Sequence, residues 1–250
     1  MYKFSSRIRY SEVDSKGILS LESLLDYFQD CSTFHSEDVG AGLGYLKERR
    51  LAWVLSAWQI VVDRYPRLCE AVRIGTAPYD FKGFFGYRNF LMETEDGERL
   101  ACANTLWTLI DMEKMCPARL TKELTEAYRI EDRLPMDYAP RKIALPAEGG
   151  TEKEPLEVGR RHLDTNNHVN NGQYIRMARE HLPTEYVGES LNLFLRQMRA
   201  EYKKQAYLGD KIYPVVYENG EIAAVSLNDR EGQPYCIVEF EFRNMGSERS

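Results

Sequence analysis

Apolar residues recur at helical spacing in two segments of this chain. In the first, Leu21, Leu24, Leu25, Tyr27, Phe28 and Cys31 make a wide apolar face, which predicts a helix largely enclosed by other elements. In the second, Tyr174, Ile175, Met177 and Ala178 fall within GQYIRMARE, residues 172–180, and predict a helix starting near Asn171 or Gly172. Other stretches carry apolar, β-branched and aromatic runs on either side of an acidic-Gly pair. NFLMETEDGERLACANTLWTLID (89–111) turns at Asp96-Gly97, and EIAAVSLNDREGQPYCIVEFEFR (221–243) turns at Glu231-Gly232. Each reads as a β-hairpin.

These patterns occur twice, in the same order. Displaced by 150 residues, RIRYSEVDSKGILSLESLLDYFQD lies beside EVGRRHLDTNNHVNNGQYIRMARE without a gap. Val13-Asp14-Ser15 meets Leu163-Asp164-Thr165, and Lys16-Gly17-Ile18 meets Asn166-Asn167-His168. QIVVDRYPRLCEAVRI (59–74) resembles QMRAEYKKQAYLGDKI (197–212), and the two hairpins match each other. Each half therefore reads as a short strand, an Asp-centred turn, a helix and several antiparallel strands. Between the halves KIALPAEGGTEKEPLE, residues 142–157, is rich in Pro, Gly and charge and reads as a linker. The expected organisation is a first domain over 1–141, a linker over 142–157 and a second domain over 158–250.

Composition narrows the class. With 250 residues, 43% of them hydrophobic, each half can bury a core. A net charge of −6, with Lys and Arg interleaved among acids, gives no footprint for nucleic acid. The five cysteines (Cys31, Cys69, Cys102, Cys116, Cys236) show no CxxC spacing. They read as free thiols of a reducing, cytoplasmic setting, with no metal expected. No apolar run is long enough to span a bilayer.

One stretch stands apart. HLDTNNHVNNGQ, residues 162–173, gathers an Asp, four Asn, a Gln and two His between apolar segments. Amides of this kind favour turns and helix starts, so a polar loop leading into a helix is one reading. In context, the block Asp164-x-Asn166-x-His168-Val169-Asn170-Asn171 resembles the signature of the acyl-acyl-carrier-protein thioesterases of plants and bacteria. IRYSEVDSKGILSLESLLDYFQD, WVLSAWQIVVDRYPR, the strands ending LWTLID, and AEYKKQ match the same family in order, over most of the chain. The resemblance implies an α+β fold, a tandem (double) hotdog in which each half is an antiparallel β-sheet wrapped around a central helix. It also implies hydrolysis of the thioester between a fatty acyl chain and the phosphopantetheine arm of acyl carrier protein, a reaction that ends fatty acid synthesis. No cofactor is implied. The second hotdog is expected to carry the catalytic groups and the first to shape the acyl pocket.

The residues carried over are Asp164, Asn166 and His168, with Gln205 at a departure from the family pattern. His168 suits a general base, since its proton affinity sits near working pH. If the helix begins at Asn171 or Gly172, its dipole disfavours an imidazolium just ahead of it. Its alternative is a turn histidine satisfied by backbone. Asn166 offers donors and an acceptor to position water or substrate. Asp164 would orient its neighbours, and its alternative as an Asx-turn residue is supported by the matching Asp14. Lys16 and Ile18 stand in the first half where Asn166 and His168 stand in the second, so the chemistry belongs to the second half alone. Asn170 and Asn171 read as capping or tethering groups. The family often has Glu-Cys after E-Y-[KR]-[KR], whereas AEYKKQAY has Gln205-Ala206. A cysteine nucleophile is therefore absent at that position, and Gln205 can hold a water but cannot accept its proton. Glu201, four residues earlier, would share a strand face with Gln205 if the strand is regular. Its other reading, the one favoured here, is as a strand ion-pair partner of Lys203 or Lys204.

The partner implied is acyl carrier protein, acidic in general, so a basic rim is expected. Arg160, Arg161, Arg196, Arg199, Lys203 and Lys204 are its candidates, against an ordinary solvated face. Acyl-CoA hydrolysis and non-catalytic acyl binding are the alternatives. The oligomeric state is open between monomer and homodimer, because a tandem hotdog already contains the pair that single hotdogs make by dimerising.

Overall fold

In the computed structural model the described residues are 1–164, 167–187 and 193–244, and the chain divides into two compact units, Met1–Ala139 and Pro140–Ser250. The first unit contains β1 (Tyr2–Arg7), α1 (Leu21–Asp38), α2 (Leu43–Glu48), β2 (Leu51–Val62), β3 (Ala71–Lys82), β4 (Phe85–Thr94), β5 (Arg99–Asp111), β6 (Cys116–Pro117) and α3 (Lys122–Glu126). Its strands pair antiparallel in the order β1-β3-β4-β5-β2, with β6 on β5. Helix α1 begins where Ser20 accepts the Ser23 N–H at 3.1 Å. Leu21, Leu24, Leu25, Phe28 and Cys31 make its buried stripe. Phe28 meets Trp58 of β2 at 6.2 Å and Phe90 of β4 at 5.3 Å between ring centroids. Two strands separated in the sheet by β5 thus reach one helical side chain, which requires the sheet to curve around α1. Burial of each such ring contributes about 2–3 kcal/mol. The expected turn at Asp96-Gly97 joins β4 to β5, with Gly97 at φ +89°, a conformation glycine adopts without steric cost.

The second unit contains β7 (Thr151–Glu152), β8 (Leu156–Glu157), α4 (Asn171–Glu180), α5 (Thr184–Val187), β9 (Leu193–Tyr202), β10 (Lys211–Asn219), β11 (Ile222–Asn228) and β12 (Pro234–Asn244). The order is β9-β12-β11-β10-β7, again antiparallel, and β8 also pairs with β10. β7 and β8 lie within residues 142–157. β8 occupies the place of β1: Arg7 stands opposite Ala71 in one unit and Glu157 opposite Lys211 in the other. The Glu231-Gly232 turn joins β11 to β12, held by Asp229 Oδ1, which accepts the Glu231 and Gln233 N–H groups. No helix among the described residues is long and apolar enough to cross a membrane.

The interior of the first unit includes a polar cluster beside the aromatic one. On β4, Arg88 shares the inward face of Phe90 and Met92 and is buried. Its Nη1 lies 3.0 Å from His35 Nδ1 and 3.2 Å from the Thr76 hydroxyl. Its guanidinium sits over the Tyr128 ring at 5.3 Å. Burial, reinforced by the Arg88 charge, lowers the His35 pKa from 6.5 to about 4. The lowered value means that, as pH falls from 6.5 toward 4, the unfolded chain takes up a proton that the folded chain refuses. This contribution to stability is complete above pH 6.5 and lost on acidification. Discounted for partial solvation, it amounts to about 1–2 kcal/mol. Urea unfolding at pH 7 and pH 4.5 should show that much extra loss in the wild type relative to His35→Gln. Equal losses would remove His35 from the acid response.

Candidate active site

The turn from Leu163 to Val169 is built by short-range bonds. Leu163 and Val169 form a β-bridge, the Asp164 N–H donates to the His168 carbonyl at 2.8 Å, and the Asn167 N–H donates to the Asp164 carbonyl at 3.1 Å. Asp164 Oδ1 accepts the His168 N–H at 3.1 Å. Asn167 takes φ +61°, which Asn tolerates better than most residues. The first unit repeats this design 150 residues earlier. Val13 bridges Leu19, Asp14 N–H reaches the Ile18 carbonyl at 2.8 Å, Gly17 has φ +71°, and Asp14 Oδ1 accepts the Ile18 N–H at 3.1 Å. In both turns the aspartate Oδ1 accepts the N–H four residues on, and Asp14 Oδ1 also accepts the Lys16 N–H at 2.9 Å, an Asx-turn. Asn166, with Thr165, lies outside the described residues.

The turn delivers His168 two residues ahead of the N-cap of α4. Asn170 caps the helix, its Oδ1 accepting the Gly172 N–H at 2.8 Å, and its own N–H donates to the His162 carbonyl at 2.8 Å. Asn171 tethers the helix through its carbonyl, which accepts the Tyr202 hydroxyl at 3.0 Å. The imidazole of His168 is half-buried, and the ring of Tyr207 stands edge-on to it at 5.1 Å. Among the described residues no side chain hydrogen-bonds that imidazole. The other histidine of the stretch, His162, is buried with Nδ1 accepting the Gly159 N–H at 3.0 Å. Burial and the Arg161 charge lower its pKa. Its role is structural.

Gln205 sits in the segment that lies against this turn. Ala206, next to it, accepts the Val169 N–H at 3.0 Å and donates its own N–H to the Tyr174 hydroxyl at 2.8 Å. The backbone of Gln205 is thereby held against the segment that follows His168, and the residue is half-buried. It does not lie on a strand face with Glu201. β9 ends at Tyr202, because the Tyr235 carbonyl takes the N–H groups of both Lys203 (2.9 Å) and Lys204 (3.3 Å), which ends the regular ladder. Glu201 is 4% exposed, and both of its oxygens are engaged. Oε1 pairs with Lys203 at 2.8 Å and Oε2 accepts the Ile143 N–H at 3.1 Å. The ion-pair reading of Glu201 is the correct one.

Thiol chemistry finds no support in the buried cysteines. Burial raises Cys31 to about 12, raises Cys102, and raises Cys236, which stands opposite Tyr202, well above the ordinary thiol range. The basic rim is also weaker than the sequence suggested. Arg199 pairs with Glu239 (2.8 Å), Arg196 with Glu241 (3.5 Å), Lys203 with Glu201 (2.8 Å) and Lys204 with Asp229. Four of the six expected cations are matched by acids on the same unit.

The arrangement offers an imidazole two residues ahead of a helix N-cap and an electropositive helix terminus, groups suited to attack on an acyl carbonyl. The description "Acyl-ACP thioesterase N-terminal domain" fits residues 1–128, and "Acyl-ACP thioesterase C-terminal domain" fits residues 147–244. The chain belongs to the acyl-ACP thioesterase family. A chloroplastic acyl-[acyl-carrier-protein] hydrolase of Cuphea viscosissima is 28% identical over 200 residues, 73% of this chain and 46% of that protein. A palmitoyl-acyl carrier protein thioesterase of Arabidopsis thaliana is 24% identical over 82% of this chain and 52% of its own length. The chain spans about half the length of the curated relatives it matches. Among solved structures, an acyl-ACP thioesterase from Bacteroides thetaiotaomicron superposes with a TM-score of 0.87 at 23% identity, covering 96% of this chain and 97% of that one. The fold is thus the double hotdog of the acyl-ACP thioesterases, with α1 and α4 as the two central helices.

Proposed function

We propose that this acyl-ACP thioesterase family member hydrolyses the thioester of a fatty acyl chain carried on acyl carrier protein, releasing the free acid and the carrier thiol. The observation that carries this reading is the difference between two otherwise matching turns. The Asp14 turn presents Ile18, whereas the Asp164 turn presents His168 at a helix start. The fold needs the turn in both halves, and only the second half places a base on it. Water attacks the carbonyl carbon, and His168 takes its proton. A C–O bond forms as the C–S bond breaks, and the proton passes from the imidazolium to the departing sulfur. Asn166 and Gln205 align the water, and an amide N–H at the start of α4 stabilises the oxyanion. Asp164 orients His168 through the turn. The first half shapes the acyl site and the second carries the reacting groups. Five free thiols support a reducing, cytoplasmic setting.

One observation favours a second reading. Gln205-Ala206 replaces the acid and thiol common in the family, and a protein so changed could bind acyl groups and leave them intact. Release of free thiol from acyl carrier proteins of graded chain length, run beside the matching acyl-CoAs, separates the readings. Wild-type release from the carrier substrates is expected. Faster release from CoA would move the activity to acyl-CoA, and no release from either by folded protein would establish a binding role.

A further inference from the structure

We infer that Tyr207 is a positioning residue for His168, its ring holding the imidazole in the orientation that accepts a proton; this rests on the hydrolytic reading of the site above. The two units share the backbone of the loop that carries it, displaced by 140 residues. Pro66 and Ala206 accept the N–H of Leu19 and Val169 at 2.9 and 3.0 Å. Arg67 N–H donates to Glu70 Oε2 at 2.9 Å, and Tyr207 N–H donates to Asp210 Oδ2 at 2.8 Å. Cys69 and Gly209 follow with φ of +68° and +87°. Arg67 bridges Ile18 in the first unit, so the matching position in the second, Tyr207, faces the turn residue His168.

The side chains differ where the backbones agree. The first unit completes the loop with an exposed arginine, so the fold does not require an aromatic ring there. Tyr207 is 48% exposed and serves no core. Its ring meets His168 edge-on, at 5.1 Å and 81°. The loop under it is pinned. Ala206 is bonded to Tyr174 and Val169, Gly209 N–H donates to the Val158 carbonyl at 2.9 Å, and Asp210 N–H donates to the Tyr207 carbonyl at 3.0 Å. A ring on a fixed loop, edge-on to an imidazole that no described side chain hydrogen-bonds, limits rotation of that imidazole about its Cβ–Cγ bond. Asp164 Oδ1 holds the His168 backbone N–H, whereas the Tyr207 ring meets the imidazole itself.

The test compares Tyr207→Phe, Tyr207→Ala and His168→Ala in the thiol-release assay and in spectra of the protein carrying carbon-labelled histidine. Tyr207→Ala should lower kcat about tenfold, less than the ~10²-fold that a full 1 Å misplacement of a reacting group costs, with KM changed by less than about twofold. Tyr207→Phe, which keeps the ring, should restore kcat. The His168 C–H resonances, assigned by their absence in His168→Ala, should shift in Tyr207→Ala and stay near the wild-type position in Tyr207→Phe. Unchanged kcat in Tyr207→Ala, a rise in KM alone, or failure of Phe to restore turnover would overturn the assignment. Full activity in His168→Ala would instead remove His168 from the proton transfer, and absence of thiol release by the wild type would overturn the hydrolytic reading itself; the resonances report the ring contact in either case.

Discussion

Replacing His168 with alanine is expected to lower kcat for acyl-thioester hydrolysis by about 10²–10⁴-fold, the usual contribution of a positioned general base. The fold should survive the change. The backbone of His168 makes the structural bonds of the turn, with its N–H on Asp164 Oδ1 and its carbonyl accepting the Asp164 N–H, and alanine keeps both groups. The imidazole contributes one edge-on ring contact with an exposed tyrosine. Thermal unfolding should therefore stay close to wild type while thiol release collapses. A variant with turnover within about tenfold of wild type would remove His168 from the proton transfer, since that loss is below what a positioned base supplies.

The second large effect comes from a pair of matched substitutions. Asp14→Ala and Asp164→Ala remove the same kind of bond from the same kind of turn. Asp14 Oδ1 accepts the Lys16 and Ile18 N–H groups at 2.9 and 3.1 Å, and Asp164 Oδ1 accepts the His168 N–H at 3.1 Å. Each variant should lose about 1–2 kcal/mol of stability, the cost of unpairing turn amides. Only Asp164→Ala should also lose activity, by about 10²-fold, because only its turn aims a base and a small displacement of a reacting group costs that much. Denaturant midpoints and kcat, measured on both, would check this. Equal losses of activity would mean that the two turns act through stability alone. Intact activity in Asp164→Ala would show that His168 is aimed by other groups, Tyr207 among them.

Much of the candidate site was legible because its construction is local. The Asp-centred turn, the Asn170 cap and the start of α4 are made by residues within a few positions of one another, and the repeat at a displacement of 150 exposed the turn twice. The hairpins at Asp96-Gly97 and Glu231-Gly232 were legible for the same reason: the turn chemistry is contiguous with the strands it joins. The signal that could have found Tyr207 was also present. Aligned at a displacement of 140, it replaces Arg67 at the position facing the turn. Its meaning depends on knowing that this loop folds back onto Ile18 in one half and His168 in the other, which sequence periodicity does not encode.

By itself, then, the sequence determined the double strand–turn–helix–sheet order, the faces buried by α1 and α4, and the placement of a histidine at a helix start in the second half only. These follow from side-chain period and from hydrogen bonds spanning a few residues. The tertiary structure alone decided what each polar group touches across the chain. Glu201 is consumed by Lys203 and the Ile143 amide, so it is no base. Gln205 leaves β9 because the Tyr235 carbonyl draws in two successive amides. The expected basic rim is largely neutralised by Glu239, Glu241 and Asp229. Burial, with the Arg88 charge from a strand remote in sequence, lowers the His35 pKa. Each outcome depends on which distant partner reaches a charge or an amide first, and a low-dielectric interior makes that choice costly to reverse.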